Sequence, residues 1–561
     1  MEQIHTRFKK GNISGFQYFG EKVTVIAEIA QNNIKTSANG NRYVNIDCDP
    51  IIIHKCIQVT NAQVDDHLKQ YLHNYIQNRK KRNNIAKGII DNTLYYPPET
   101  RLYQKIGINL LLFKKKFILC QEMGLGKSMQ ALIACKNILT EPKRILIVCP
   151  SYLKMEWKDH INRWYPNEIF FASGIRNKRE LIIKDFIEYT AKKTAYLIVN
   201  IEMLRDYRIL HETYFHVAIL DESIRYQDRK SKQTKGMELL NADYIFFLQG
   251  ILMNKEDPSR IYPLISKIDK GRFTSYWRFV NKYCKVSESF YGYKKIEGAN
   301  PCRIDEFKSL VKDYMVQHHK RDVAQELPDI IYKTVYVPMN KDHRFEYIKI
   351  LKTGKIGLKS YPHKMALIEK LRQFLILPKA MKDENGRPYK DWQPTTNVVL
   401  ELLQDIPEDD QIIIYGFHKA FLCELNSRLN RSGYSTGLIT GDTKEYDRFD
   451  IICNFKNRDI KILVGNISCL SKGLNLDNAK YAICVEQTWS SEDIDQMNAR
   501  IHRLTTTESP TVIKLIVKNT ISEYIDNILQ NDREGVNNMI MIDKILEFSN
   551  NDKGEEGEED D

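Results

Sequence analysis

Within the stretch QEMGLGKS, residues 121–128, two glycines, a lysine and a hydroxyl fall close together: Gly124, Gly126, Lys127 and Ser128. The usual phosphate-binding pattern is glycine, four residues, then Gly-Lys-Ser/Thr. Here Gln121 stands at the first glycine's place. A loop that leaves a strand and enters a helix aims its backbone N–H groups at whatever lies at the helix start. Gly124 and Gly126 let that backbone approach an anion, Lys127 reaches the terminal phosphates, and the Ser128 hydroxyl ligates Mg²⁺. The chemistry implied is the binding of ATP with Mg²⁺. A glycine-rich connection in a metabolic α/β domain is the competing explanation.

A second constellation follows in HVAILDES, residues 216–223, where an apolar run ends on Asp221-Glu222. A carboxylate at the carboxyl end of a parallel strand faces the crevice where ligands bind. Asp221 is suited to hold Mg²⁺ through water, and Glu222 to orient and deprotonate an attacking water. A surface acidic pair is the alternative.

These groups need a scaffold, and the apolar pattern supplies one. FILC (117–120), RILIVC (144–149), AYLIVN (195–200), HVAILD (216–221) and YIFFLQ (244–249) read as buried strands separated by helical runs such as SMQALIACKNIL. The rhythm returns in QIIIYG, TGLITG, IKILVG, YAICVE and VIKLIV, between 411 and 517. Strands alternating with helices imply parallel sheets covered on both faces. The expectation is an α/β chain with one lobe over 96–270, a helical insertion region over 271–395, a second lobe over 396–520, a helical region over 521–550 and an acidic tail over 551–561. Before them, residues 1–95 form an accessory module. In it, EKVTVIAEIA and NRYVNIDCD read as strands around the turn signal Asn39-Gly40. A helix then carries Leu68, Leu72, Tyr75 and Ile76 on one face, and Arg79 to Arg82 at its end contact phosphate or simply solvate it.

Hydrophobic residues make up 42% of the 561 and charged residues 28%, an ordinary globular balance. No apolar run approaches the roughly 20 residues that span a bilayer. The N-terminal MEQIHTRFKK has no apolar core after it, so no secretory signal is expected. Eleven cysteines lie singly, none at two-residue spacing, which points to a reducing, cytoplasmic setting rather than zinc or disulfides. The last eleven residues hold seven acids and one lysine, so a formal charge of +12 for the whole leaves +18 on the rest. A basic body suits a polyanionic partner, because cations that neutralise phosphates release counterions. Abundant lysine, asparagine, isoleucine and tyrosine suggest an AT-rich genome, so the expected place is the nucleoid or a host cytoplasm.

From Leu102 to Leu529 the motifs resemble, in order, those of Swi/Snf-type DNA-translocating ATPases of helicase superfamily two. LYQKIG is similar to the adenine-reading Q motif, with Gln104 at its key position. QEMGLGKS is similar to the family's DEMGLGKT, in which the first glycine is not needed. CPSYLKMEW, with Ser151, resembles the backbone-touching motif Ia, and VNIEML the next DNA-contacting segment. MVQHHKRDVAQELP resembles the helical insertion, where arginines commonly stand at His318 and His319; adjacent residues do not share a helical face, so a shared metal is not expected. IIIYGFHKAF resembles motif IV. SKGLNLDNAKYAICVEQTWS resembles motif V and its sequel, with Gly473 at the nucleotide and Asn475 and Trp489 at DNA. QMNARIHR resembles motif VI, with Gln496 in coupling and Arg500 and Arg503 reaching the γ-phosphate; three apart, these arginines share a helical face. VKNTISEYIDNIL resembles the terminal segment that braces the lobes. The resemblance implies two RecA-like lobes, ATP and Mg²⁺ as cofactors, and a monomer that steps along duplex or branched DNA. The implied work is annealing, fork or branch remodelling, or displacement of bound proteins, with a protein partner for the accessory module. The rivals are a strand-separating helicase and a nucleotide-gated DNA clamp.

The sequence departs from the family where motifs II and III meet. Ile224 stands where histidine is usual, and Gln249, Gly250, Ile251 and Leu252 replace the Thr-Gly-Thr-Pro turn. Replacing both partners of a polar contact is nearly neutral, whereas losing one strands the other at about 1–3 kcal/mol. The expectation is an apolar contact of Ile224 with Ile251 or Leu252. The acidic tail reads as a disordered solvated end, or as a DNA mimic competing for a basic surface.

Overall fold

The structure, a computed structural model, describes the chain except residues 1–2, 10–11, 20, 31–33, 37–41, 47–48, 251–256, 289–293, 325–326, 362, 472–475, 490, 503–507 and 532–561. It divides into two compact units, Met1–Val323 and Ala324–Asp561. Among the described residues no helix is long and apolar enough to cross a membrane.

The first unit begins with a small α+β module. Strands β1 (Gln3–Lys9), β2 (Asn12–Phe19), β3 (Ile34–Thr36), β4 (Arg42–Ile46) and β5 (Gln63–Val64) form a sheet in the order β3-β4-β2-β1-β5. The segment EKVTVIAEIA, expected as a strand, is the helix Val23–Ala30. Its β-branched residues suggested extended chain, but Val23, Ile26 and Ala30 are the ones buried, at helical spacing, and the helix packs on β4. Asn39-Gly40 lies outside the described residues. The long helix Asp66–Ala86 starts on an Asp65 cap whose carboxylate accepts from Leu68 N and also from Thr6 N and Oγ1, which fastens the helix to β1. Leu68 and Leu72 pack into the module's core, but Ile76 is 50% exposed. Arg79 and Arg82 turn to protein partners, Ser309 Oγ and Met315 O, rather than to solvent alone.

The rest of the unit is a RecA-like lobe. Strands β6 (Lys116–Gln121), β7 (Arg144–Cys149), β8 (Glu168–Phe171), β9 (Ala195–Asn200), β10 (Tyr214–Leu220) and β11 (Asn241–Gln249) precede a hairpin, β12 (Cys284–Glu288) with β13 (Lys294–Ala299), and then β14 (Met315–His318). All but the hairpin form one parallel sheet, ordered β14-β6-β11-β10-β7-β9-β8. Both faces are covered: Ile118, Leu146, Leu197 and Phe247 point into one core, while Phe117, Ile145, Ile198 and Phe246 point into the other.

The second unit repeats the plan. Strands β15 (Ile331–Val337), a hairpin β16 (Lys355–Ile356) with β17 (Lys359–Ser360), β18 (Gln411–Gly416), β19 (Thr436–Ile439), β20 (Ile462–Asn466), β21 (Ala479–Cys484) and β22 (Thr511–Val517) follow in order. Six of them make a parallel sheet, β15-β22-β21-β18-β20-β19. Alternate residues again divide between two cores, Ile412, Ile414 and Val464 against Ile413, Tyr415 and Leu463. The stretch 271–395, expected to be mostly helical, supplies an edge strand to each sheet, β14 and β15, besides two hairpins. The fold class is α/β with two parallel-sheet lobes. The helix Ile521–Asn531 follows β22, and the acidic tail lies outside the described residues.

Candidate nucleotide-binding site

The loop that follows β6 leads into the helix Lys127–Asn137, with Gly126 as its N-cap. Gly124 and Gly126 have φ of 88° and 81°, a left-handed backbone that glycine adopts without cost. Ser128 falls in the helix's first turn, where backbone N–H groups have no partner within the helix. Lys127 folds back over the loop: its Nζ donates to Gln121 O at 2.7 Å and to Glu122 O at 3.3 Å.

Asp221 and Glu222 come directly after β10. The Asp221 carboxylate accepts from Trp157 Nε1 (2.9 Å, Oδ2) and from Glu222 N (2.9 Å, Oδ1), leaving each oxygen a further lone pair. Burial, with Glu222 beside it, pushes the Asp221 carboxyl up to about 6, against the pull of Lys127 and the Trp157 bond. A desolvated carboxylate is costly without a cation, and oxygen donors such as Asp221 and Ser128 are what Mg²⁺ takes. The donor set fits that ion. Glu222 holds a left-handed backbone, φ 50° and ψ 46°, unusual for a residue with a Cβ and typical of functional turns.

A buried amide network underlies the loop. Gln121 has no exposed surface. Its Oε1 accepts from Gln130 Nε2 at 2.7 Å, and its Nε2 donates to Gln130 Oε1 at 3.2 Å and to His318 Nδ1 at 3.0 Å. Gln130 Nε2 also donates to Leu125 O and Gly126 O. The missing glycine is therefore a fixed amide that ties the loop's root to the helix behind it. Burial lowers the His318 pKa, which suits a neutral ring accepting through Nδ1. Gly107 makes this possible, since a Cβ there would lie 2.1 Å from Gln130 Oε1. Gln104 is buried in the same network: Oε1 accepts from Arg101 N and Nε2 donates to Leu125 O, so its amide grips the loop.

Motif II meets motif III through a hydrogen bond. Ser223 Oγ donates to Gln249 Oε1 at 3.1 Å, both buried, whereas Ile224 is half-buried and residues 251 and 252 lie outside the described residues. The apolar contact expected of Ile224 falls on residues outside the described ones; within the described segments a polar link stands one residue away. Gly250 lies against the loop, its Cβ direction meeting Met123 Cγ at 3.8 Å and Gln121 O at 4.0 Å. Of the two histidines expected on a helix, His318 ends a strand and His319 follows it, His318 meeting Gln121 and His319 meeting Glu122.

Other expected residues are placed within their own units. Ser151 is exposed just beyond β7, at the start of a short 3₁₀ turn. In the second unit Gln496 is half-buried in the helix Ser491–Ile501, and Arg500 is 7% exposed, with Nε donating to Ser471 O at 2.8 Å. Trp489 packs on the core with the Arg372 guanidinium 5.8 Å from its ring. Arg372 is bound in turn to Glu486 and Gln487 O. Gly473, Asn475 and Arg503 lie outside the described residues. The sequence reading missed Trp157, Gln130 and Glu122. Gln130 left one signal, an amide on the apolar face of SMQALIAC; Trp157 sat inside a segment read only for DNA contact.

Two family models match the chain: an SNF2-related domain over residues 103–386, just over half of it, and a helicase conserved C-terminal domain over 395–505. An uncharacterized ATP-dependent helicase of Mycoplasma genitalium is 24% identical over 79% of this chain and 42% of its own length. A Caenorhabditis elegans homolog of SWI/SNF-related matrix-associated actin-dependent regulator of chromatin subfamily A-like protein 1 is 25% identical over 76% of this chain and 60% of its own. The chain spans about half the length of the curated relatives it matches. Among solved structures, the Sulfolobus solfataricus SWI2/SNF2 ATPase core in complex with dsDNA aligns at a TM-score of 0.37 and 19% identity, over 80% of this chain and 94% of that one. With its phosphate loop and Asp-Glu pair inside the first matched domain and Arg500 inside the second, the chain belongs to the SNF2-related family of helicase superfamily two.

Proposed function

We propose that the chain is a DNA-dependent ATPase that uses ATP to move along duplex DNA, remodelling branched structures or displacing bound proteins. The observation that carries this reading is the pairing in one lobe of Lys127, at the start of a glycine-bent loop, with Asp221 and Glu222 at the end of β10. In this reading the phosphates draw Lys127 from the loop carbonyls, and Glu222 takes the proton of the attacking water. Ser128 and Asp221 would hold Mg²⁺, which supplies positive charge to the phosphate oxygens. Arg500 and Arg503 of the second lobe add charge at the γ-phosphate, a contribution of about 10³–10⁵ in rate for such arginines. Ser151, Asn475 and Trp489 serve the DNA backbone, so binding is weakly sequence-dependent and falls steeply with salt.

The Ser223–Gln249 bond favours a motor over a nucleotide-gated clamp, because the segment holding Glu222 keeps a polar tie to the end of β11. ATP hydrolysis measured with duplex, single-stranded, forked and four-way DNA, and with RNA, tests the reading. Stimulation by duplex or branched DNA is expected. Tight ATP binding with negligible hydrolysis on every DNA would overturn it in favour of the clamp, and strand separation without duplex stimulation would favour an unwinding helicase.

A further inference from the structure

The phosphate loop is bonded to more than its own strand and helix. Glu122, one residue into the loop, donates its N–H to His318 O at 3.2 Å. Its carboxylate accepts from Lys320 N at 3.0 Å through Oε2, and Oε1 lies 2.8 Å from His319 Nδ1. Burial alone would raise this carboxyl, yet the Lys320 N–H and His319 hold it below its ordinary range. Glu122 is thus bonded to three consecutive residues, its N–H to His318 and its carboxylate to His319 and Lys320. Those residues close β14 and open the turn Lys320–Val323, after which the chain leaves the first unit.

Glu122 therefore has two attachments of opposite kind. Its carbonyl, with that of Gln121, holds Lys127 Nζ; its carboxylate holds the segment that runs on to the second unit. A phosphate that pairs with Lys127 removes the cation from those carbonyls, since an ion pair with phosphate is stronger than a bond to a neutral carbonyl. The Gln121 and Glu122 carbonyls then lose that tie, while the Glu122 N–H stays on His318 O and the carboxylate stays clamped by two hydrogen bonds. The loop cannot rearrange without moving residues 318–320 or breaking that clamp. The His319 and Glu122 side chains are 38% and 41% exposed, and a pair so exposed adds little to stability, which argues for a positional role.

We propose that Glu122 is a positioning residue that passes the occupancy of Lys127 to segment 318–323, and so to the start of the second lobe. The proposal rests on the nucleotide reading of the loop. The test uses the full chain with Mg·ADP, reading affinity by calorimetry and hydrogen exchange of peptide 318–324 with and without nucleotide. Wild type, Glu122→Ala and Glu122→Gln should bind Mg·ADP within about threefold of one another, since the phosphate contacts are untouched. Nucleotide should change exchange at 318–324 in wild type, not in Glu122→Ala, and partly in Glu122→Gln, which keeps an acceptor for Lys320 N. Should Glu122→Ala fail to fold, His319→Ala removes one of the clamp's two bonds and keeps Lys320 N on Glu122, so a partial loss of the response is expected. An unchanged nucleotide response in the Ala variants would overturn the proposal, as would a wild type that binds without any response. A wild type that binds no Mg·ADP would overturn the nucleotide reading itself, and this inference with it.

Discussion

Substituting leucine for Gln121 and Gln130, singly and together, probes the buried amide pair. Each leucine keeps roughly the glutamine's bulk, so the cost is set by polar groups left without partners. In Gln121→Leu, Gln130 Oε1 and His318 Nδ1 lose their donor; in Gln130→Leu, Gln121 Oε1 loses its donor, while Leu125 O keeps Tyr103 Oη and Gln104 Nε2, and Gly126 O keeps Gln130 N. At about 1–3 kcal/mol per buried orphan, Gln121→Leu should destabilise the loop and its helix by about 2–6 kcal/mol and Gln130→Leu by about 1–3 kcal/mol. The double change removes both amides, so its cost should fall short of the sum by about 1–3 kcal/mol. Hydrogen exchange of the amides in Lys127–Asn137 reads this locally: about 5- to 150-fold faster exchange for Gln130→Leu and at least about 30-fold for Gln121→Leu. If the two effects add to within about 0.5 kcal/mol, the amides act independently and the account of Gln121 as a structural substitute for glycine is wrong.

His418 and Trp157 give two further tests. Burial alone would lower His418, but Glu369 and Glu486 raise it to about 9. The charged ring's contribution is therefore fully present below pH 6.5 and lost as pH rises through 9, on the order of 3 kcal/mol; thermal melts of wild type and His418→Gln should converge on the alkaline side, and a constant gap would refute this. Trp157→Phe removes the indole donor from Asp221, and outer-shell losses of this kind cost about 10–100-fold in metal affinity or activity; titrating ATP hydrolysis with Mg²⁺ should show a raised Mg²⁺ requirement, and an unchanged titration would mean the bond is only structural.

The central strands were legible because a strand buried on both faces is apolar throughout, as in RILIVC or QIIIYG. Edge strands lack that signature. β14 is only MVQH, and β15, IYKTVYV, is mostly exposed, so neither stands out from the helical sequence around it. The module's first helix misled because valine and isoleucine favour strands locally, while burial at helical spacing decided the outcome. Lys127, Ser128, Asp221 and Glu222 were readable because their chemistry needs fixed types in a fixed order. The supports were not: Gln121 finds its partners at 130 and 318, and Trp157 meets Asp221 across 64 positions. Such pairings depend on which strand ends lie together, which local pattern does not encode.

The first and last strands of the second unit's six-stranded sheet are neighbours: all seven residues of β15 pair with β22, from Ile331 with Thr511 to Val337 with Val517. As the ribosome delivers the chain, β15 must wait for almost the whole lobe to emerge before its neighbour exists. Contacts so distant along the chain form late, because the connecting loop's entropy is lost before they are made. A nascent lobe arrested just short of β22 would expose an unpaired edge on β21 and leave β15 with nothing to join, a natural binding target for chaperones.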